Sequence, residues 1–333
     1  MHIPDAFIPI SQGLIYWIIA LGFIALSVRW ARYELSEEKI PLIAVLAAGI
    51  FAIQTLNMAL PTVFVSGVSG HVVGAALVAI VLGSPLAAVF VMTLVLLLQA
   101  IMFGDGGITV MGANIINMGV LGGFFGFYSF RSLNTFIKNR FISAAIAGWI
   151  SLFIPAIACA VELAVAGTFP ITTGLILIGT YHAVAGIIEG GATAVALTFI
   201  GSVRPDIIHD TNAGRSPAKI TNALIGAGIF FVLILSIASP FIASTNPDGL
   251  ESAFYRIYGA SSAENPSVDQ NAVAAADETV AERSGNTFSW AAPFSSYQIP
   301  GFDKPGEVLA IIIGIVVILL GAYGTMRFVN RQQ

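Results

Sequence analysis

The chain has 333 residues, of which 57% are hydrophobic and 10% are charged, and its formal net charge is -4. Its mean hydropathy is +0.89. These values exclude an ordinary soluble domain and predict an integral membrane protein. The single cysteine, Cys159, lies in an apolar run, which excludes a disulfide framework and a cysteine-rich metal site.

Nine apolar segments follow one another along the chain and predict an all-α integral membrane protein with about nine transmembrane helices. They cover residues 13–30, 40–60, 71–82, 85–103, 113–131, 141–166, 174–200, 222–243 and 308–326. The third segment is too short to cross an average bilayer squarely. Gly83, Ser84 and Pro85 follow it and predict a tight helical hairpin with the fourth segment.

The basic residues fall mainly on one side when these segments alternate across the membrane from an external amino terminus. Of the 14 Lys and Arg residues, only Arg256, Arg283 and Lys304 are then external. This bias predicts a cell-membrane protein with its amino terminus outside and its carboxyl terminus in the cytoplasm. No basic region precedes Pro4 and Asp5, so we expect no secretory signal peptide.

This topology places three elements on the external face. They are the amino terminus, the turn before His71, and the loop GDGGITVMGANIINMG at residues 104–119. The glycines and short polar side chains of that loop are typical of irregular backbone packed into protein. We therefore expect the loop to form a lid.

The composition also divides the chain into two units. A seven-helix unit, residues 1–203, is followed by a polar cytoplasmic linker, 204–221, and a two-helix unit, 222–333. The second unit contains an external stretch, 244–307, that is rich in acidic residues. We predict that its part 261–285 is weakly structured.

The amino-terminal dipeptide Met1-His2 predicts a metal site. The α-amine, the deprotonated amide nitrogen of His2 and the His2 imidazole Nδ1 can bind one ion by closing two fused chelate rings. A planar nitrogen set that includes an ionised amide suits Ni(II), Cu(II) or low-spin Co(II), whereas Zn(II) prefers a tetrahedral set. A histidine at the second position is also expected to hinder removal of the initiator methionine, which preserves the rings.

His71 is the candidate for a fourth nitrogen. It lies in SGVSGHVVG, where Gly67, Gly70 and Gly74 allow close approach of an inserted terminal peptide. The alternative is that His71 is a surface or capping residue at a helix end. Its predicted position on the same membrane face as His2 favours metal binding.

Several polar residues near the external face are candidates to orient the metal ligands. Gln99, Asp105, Asn114 and Asn117 could form hydrogen bonds with the ligand imidazoles, as metal-bound histidines normally require. Helix packing or loop capping explains each of them equally well.

Two ionisable residues, His182 and Glu189, lie seven positions apart and so share one face of the seventh helix. Such groups in a membrane segment usually face a cavity or a partner, so they are candidates for a supporting or relay pair, with structural hydrogen bonding as the alternative. Glu162 is expected to snorkel or to meet interfacial water, and His209 to lie in a cytoplasmic loop. Neither receives a role.

Recognisable catalytic motifs are missing from the sequence. None of the lysines follows a glycine, so the chain has no G-x-x-x-x-G-K-[ST] phosphate cradle and no ATP site. Nucleophile triads and redox cysteines are also missing. We therefore expect a protein that is not an enzyme, with any ATP hydrolysed by other proteins.

Four motifs lie within residues 1 to about 200: MHIPD, SGHVVG, GDGGIT...GANIINMG and YHAVAGIIEG. They resemble the CbiM/NikM substrate-capture components of energy-coupling-factor transporters for cobalt and nickel. The segments NPDGLESAFYR at 246–256 and FSSYQIPGF at 294–302 resemble the PDGLE-type auxiliary component, similar to CbiN/NikN. The chain thus looks like a fusion of the two components. One departure is Ala6, where the family commonly has glycine.

The resemblance implies a ligand set and partners. It implies that the transported metal, Ni(II) or Co(II), is held by the amine of Met1, the amide and imidazole of His2, and His71. It also implies a transmembrane coupling (T) protein and a pair of cytoplasmic ATPases, which drive release inside the cell. Membrane lipid surrounds the chain, and we expect no nucleic-acid partner.

Two other classes of protein remain as alternatives. A self-sufficient divalent-metal channel or proton-coupled carrier predicts ionisable residues along the membrane path, but only Glu189 is a plausible charge at mid-membrane. A metal sensor would usually add a cytoplasmic output domain. The sequence does not separate nickel from cobalt, because both ions accept four nitrogens.

Overall fold

The computed structural model describes residues 1–203, 222–262 and 266–330. Twelve α-helices and one short antiparallel hairpin occur in these ranges. The helices are α1 Ile10–Glu34, α2 Ile40–Gln54, α3 Ala75–Leu82, α4 Pro85–Leu98, α5 Met111–Asn114, α6 Gly122–Ile137, α7 Arg140–Val165, α8 Ile171–Val203, α9 Asn222–Ile242, α10 Gly249–Ile257, α11 Gln270–Ser284 and α12 Asp303–Asn330. The strands are β1 Met58–Ala59 and β2 Ser69–Gly70.

Six helical segments within the described ranges are long and apolar enough to cross a membrane. They are Ile10–Glu34, Pro85–Phe103, Arg140–Val165, Ile171–Val203, Ile225–Ile242 and Asp303–Val329. The apolar helix α2 is shorter. The predicted all-α, multi-pass membrane architecture is confirmed, and the predicted number of nine helices is approximate.

The third and fifth predicted segments differ from full membrane helices. The third becomes the eight-residue helix α3, which begins at Ala75. The fifth is α6 preceded by a π-helical stretch, Ile115–Leu121, and by the single turn α5. The predicted hairpin after α3 is present, because Gly83 adopts a left-handed conformation and the Ser84 hydroxyl caps α4.

Small residues allow the helices of the first unit to pack closely. Helices α7 and α8 lie side by side, and α6 packs on α7. A side chain at Gly190 would collide with the backbone of Ala145, and one at Gly148 would meet the Gly190 backbone. Close approach of this kind is how helices associate when the hydrophobic effect between them is weak.

The second unit packs directly against the first. Helix α12 lies against α2 and α4, and α9 also lies against α2. In addition, α10 packs on α8, and α11 packs on the amino-terminal segment. The linker 204–221 and its His209 lie outside the described residues, so the predicted division into two units stays a prediction.

The prediction of a weakly structured stretch at 261–285 is wrong for much of its length. Residues Gln270–Ser284 form α11, and the Asp269 carboxylate accepts hydrogen bonds from two backbone amides at its start. The helix contains the sequence AVAAADETVAER, whose alanines favour helix. The polar residues of this stretch therefore belong to a surface helix and do not indicate an irregular chain.

The amino-terminal segment is buried beneath the predicted lid loop. Ile3 and Ile8 are fully buried. The backbone amide of Gly107 donates to the Ile3 carbonyl over 2.8 Å. The Gly107 Cα lies so close to the Asp5 backbone that a side chain there would collide. The loop is irregular only as far as Val110, because α5 begins at the next residue.

Candidate metal-binding site

The terminal amine lies inside the protein. Met1 is 3% exposed and His2 is 8% exposed. The ammonium group donates to Asp248 Oδ2 over 2.9 Å. A first residue that is this buried, with its amine facing a carboxylate, is unlike the mobile terminus of most domains.

Both nitrogens of the His2 imidazole have partners. Nδ1 lies 3.2 Å from Asp105 Oδ1, and Nε2 lies 3.2 Å from Gln99 Oε1. Asp105 is held in turn by the Tyr297 hydroxyl, which donates to its Oδ2 over 2.6 Å. Two of the four predicted orienting residues, Gln99 and Asp105, thus contact the histidine ring.

The rings of His2 and His71 stack on each other. Their centroids are 5.2 Å apart, and the ring planes differ by 27°. His71 lies between β2 and α3, and its Nδ1 has only a long contact, 3.5 Å, with the Val72 carbonyl. The structure therefore brings together the three residues that the sequence proposes as ligands.

Glu189 fixes the backbone that follows His71. Its two carboxylate oxygens accept hydrogen bonds from the amides of Val73, at 2.6 Å, and Gly74, at 2.9 Å. The Gln54 side chain donates to the Val73 carbonyl. Glu189 thus supports the His71 segment through its backbone and forms no hydrogen bond with His182.

His182 is bonded within its own helix. Its Nδ1 donates to the Ile178 carbonyl over 2.8 Å, which leaves the lone pair on Nε2. The ring lines a small cavity that it shares with Met1, His71 and Asp248. His182 therefore borders the candidate site without contacting the His2 imidazole.

The two predicted asparagines differ in what they hold. Asn114 Oδ1 accepts from the Ile3 amide, and its Nδ2 donates to the Ile3 carbonyl, so it fixes the backbone next to His2. Asn117 donates to Glu162 Oε2 over 2.7 Å. In this structure Asn117 therefore contacts Glu162 and not a ligand imidazole, as the packing alternative predicts. The expectation that Glu162 snorkels or meets interfacial water is wrong, because Glu162 is buried.

Three residues of the second unit contact the site or the amino-terminal segment that leads from it, and they were missed in the sequence. They are Asp248, Tyr297 and Asn286. Asp248 and Tyr297 lie within the motifs NPDGLESAFYR and FSSYQIPGF, which were noticed only as marks of a family. The position of Asp248 before a helix predicts that it caps the helix. The neighbouring sequence does not predict its contact with the Met1 amine, which is 247 positions away.

Charge and burial act in opposite directions on the terminal amine. Burial lowers its pKa, but the charge and hydrogen bond of Asp248 outweigh burial and raise it. The same contact lowers the pKa of Asp248, although burial opposes this. Burial lowers the pKa values of His2 and His71. At neutral pH the site thus holds an ammonium, a carboxylate and two neutral imidazoles.

Side chains alone do not form a metal cage here. Among the described residues, no three His, Cys, Asp or Glu side chains converge on a metal-sized space. The nitrogens near His2 and His71 that can complete a set are the terminal amine and a main-chain amide. This donor set suits late transition metals, as the sequence predicts.

Comparisons with known proteins identify the family of the chain. Residues 2–207 match the model of the CbiM family, described as the cobalt uptake substrate-specific transmembrane region. The chain belongs to the CbiM family. Residues 222–331 match a second family model, the PDGLE domain.

Relatives of this CbiM-family chain include proteins with the same fused organisation. A fused NikMN protein of Archaeoglobus fulgidus is 32% identical, over 98% of this chain and 99% of that one. The fused nickel transport protein NikMN of Rhodobacter capsulatus is 29% identical, over 96% of each chain. The crystal structure of a truncated transition metal transporter matches with a TM-score of 0.56 and 28% identity, covering 61% of this chain and 99% of that one. The predicted membership of a fused cobalt or nickel transport family is therefore confirmed.

Proposed function

We propose that this chain is the substrate-specific subunit of an ATP-driven energy-coupling-factor importer of nickel or cobalt ions. The metal is captured at the external face by four nitrogens: the Met1 amine, the His2 amide, His2 Nδ1 and the His71 imidazole. The observation that carries this proposal is the buried stack of His2 on His71, with ring centroids 5.2 Å apart. Imidazole nitrogens bind metals at about 2 Å, so two rings at this spacing can share one ion after a small movement.

The His2 ring has one hydrogen-bond acceptor at each nitrogen, so it can keep a hydrogen bond both before and after metal binding. In the empty site, Nδ1 can carry the single ring proton and donate it to Asp105. When Nδ1 binds the ion, the ring proton moves to Nε2, where the Gln99 carbonyl is in place to accept it. A metal-bound histidine normally donates its other N–H to such an acceptor.

The contacts of Glu189 support an importer subunit over a self-sufficient carrier. A proton-coupled carrier needs ionisable groups that are free to change partners along the membrane. Both oxygens of Glu189 instead bind backbone amides next to His71. The sequence has no phosphate cradle, so the proposal assigns ATP hydrolysis to a pair of cytoplasmic ATPases, joined through a coupling protein.

Metal titration of the purified protein tests the ligand set. We expect His2→Ala to lose high-affinity binding of Ni(II) and Co(II), because it removes one ligand and one chelate ring. A variant with one extra residue before Met1 should lose it too, because the amine is then displaced. His209→Ala is the matched histidine control and should bind as the parent does. Full affinity in both site variants would contradict the proposal.

Transport without partners tests the mechanism. The purified chain in proteoliposomes should not accumulate Ni(II) under an imposed proton gradient, because the proposal places the energy source in separate ATPases. Accumulation that depends on the gradient would favour the carrier instead. A proton-coupled metal carrier reconstituted in parallel shows that the gradient is maintained.

A further inference from the structure

A turn of the second unit, residues 246–249, contacts both segments that carry the proposed ligands. Asp248 binds the Met1 amine. The carbonyls of Asn246 and Pro247 accept hydrogen bonds from the hydroxyl and the amide of Ser69, two residues before His71. The turn thus joins the amino terminus to the His71 segment.

We propose that Asp248 is a positioning residue of the metal site, which orients the terminal amine and sets its separation from His71. This inference rests on the proposed four-nitrogen site and adds to it a carboxylate from the second unit. Asp248 does not bind the metal. It holds the amine, and its turn holds the His71 backbone.

The turn is rigid enough for this role. Asp248 Oδ1 caps α10 by accepting from the amides of Leu250 and Glu251, which leaves Oδ2 for the amine. The Glu251 side chain accepts from the Asp248 amide and completes a capping box. One carboxylate therefore fixes a helix start and the terminal amine together.

The turn is also seated on the helix that borders the site. Gly249 approaches the His182 ring so closely that an added Cβ would lie 2.8 Å from Cε1. Farther along α10, the Arg256 guanidinium donates to the Ser66 carbonyl over 2.9 Å. These contacts hold α10 against both α8 and the segment before His71.

The chemistry of the amine explains how Asp248 serves both the empty and the loaded site. An ammonium donates to the carboxylate, and a metal-bound amine still keeps N–H groups that can do so. A divalent ion that displaces one proton from the ammonium and one from the His2 amide leaves the net charge of these groups unchanged. The single carboxylate can therefore balance the same charge in both states.

Titration of the full-length protein with Ni(II) tests the inference in three variants. Asp248→Asn keeps a good helix cap but removes the charge that holds the amine. We expect its Ni(II) affinity to fall roughly 10- to 100-fold, as for the loss of other groups that orient metal ligands. The visible absorption spectrum of the bound Ni(II) should change as well, because the amine is misaligned.

The control is Asp269→Asn, which makes the same change at the cap of α11, where the carboxylate accepts from the amides of Asn271 and Ala272 and does not contact the amine. It should keep the parent affinity and Ni(II) spectrum. An equal loss of affinity in both variants would reduce Asp248 to a structural cap, and parental affinity in Asp248→Asn would overturn the inference. His2→Ala, titrated in parallel, separates this failure from a failure of the four-nitrogen site itself.

Discussion

His2 Nδ1 and Nε2 face different acceptors, Asp105 and Gln99, at equal distances of 3.2 Å. A neutral imidazole has one proton and can satisfy only one of them as a donor at a time. Metal binding at Nδ1 then needs no net loss of a proton from the ring, because the proton moves to the other nitrogen. In the proposed site, the protons released on metal binding come from the Met1 ammonium and the His2 amide.

This reasoning predicts the pH dependence of metal binding. The pKa of the Met1 amine is raised, so the amine is protonated at neutral pH, whereas the pKa values of His2 and His71 are lowered. Binding of Ni(II) near pH 7 should therefore release about two protons, one from the ammonium and one from the His2 amide. The affinity should rise about 100-fold per pH unit below the pKa of the amine.

Calorimetric titration in buffers of different ionisation enthalpy measures this release. An amino-terminal acetylated protein is a suitable control, since it has no ammonium proton to lose. Release of a single proton by the unmodified protein would mean that the amide stays protonated, which contradicts a four-nitrogen site.

For individual residues, the sequence predicted the candidate ligands but not all of the residues that contact and position them. Met1, His2 and His71 could be selected because chelate chemistry depends on residue type and on position in the chain. Their metal role stays a prediction. The contact of Asp248 with the amine could not be predicted, because it joins residues from two units through packing of α10 on α8.

Helix α8 holds the backbone between His71 and the short helix α3 through Glu189. The Glu189 carboxylate accepts from the two amides that precede α3, and Gly74, at φ +78°, makes the turn there. The Gly74 Cα also faces the Ile50 side chain so closely that a Cβ would collide. The position of His71 therefore depends on Glu189, which is not among the proposed ligands.

We expect Glu189→Gln to destabilise the protein by about 1–3 kcal/mol, because the amide has a single acceptor oxygen for two buried N–H groups. Thermal unfolding in detergent should show a lower Tm, and Ni(II) affinity should fall with it. Thr193→Val, one turn farther along α8, is the matched control, because its buried hydroxyl has no partner among the described residues. An unchanged Tm in Glu189→Gln would show that water or a shifted backbone replaces the lost acceptor.

The elements themselves were mostly predictable from apolar periodicity. All nine predicted apolar segments contain helix, and the Gly83-Ser84-Pro85 signal gave the hairpin. Helix α11 was missed because polarity was taken as a sign of disorder, although its alanines favour helix. The π-helical stretch before α6 could not be predicted, since nothing in residues 115–121 distinguishes it from α-helix.

At the scale of the whole molecule, the end of α11 and the residues just after it cover the amino-terminal segment. Asn286 is fully buried, and its Nδ2 contacts the carbonyls of Asp5 and Ile8 and the hydroxyl of Thr109. The Ser284 hydroxyl donates to the Ala6 carbonyl. The segment that carries the proposed chelate is thus enclosed by the lid loop on one side and by this cover on the other.

Asn286→Ala should loosen that segment, because two buried carbonyls lose their donor. Hydrogen exchange of the backbone amides in residues 5–8 should become faster, and Ni(II) affinity should fall. Asn271→Ala, in the exposed first turn of α11, is the matched control and should change neither measurement. Unchanged exchange in Asn286→Ala would mean that the lid loop alone holds the terminus.

The contact between Asp248 and Met1 is made within one polypeptide. A tether of this kind gives the two groups an effective concentration that can reach the millimolar range. The carboxylate can therefore contact the amine again whenever their hydrogen bond breaks, without diffusion of a second chain. Each molecule has one such carboxylate for its amine at any level of expression. If the two units were separate chains, dilution of either one would leave amines without their carboxylate.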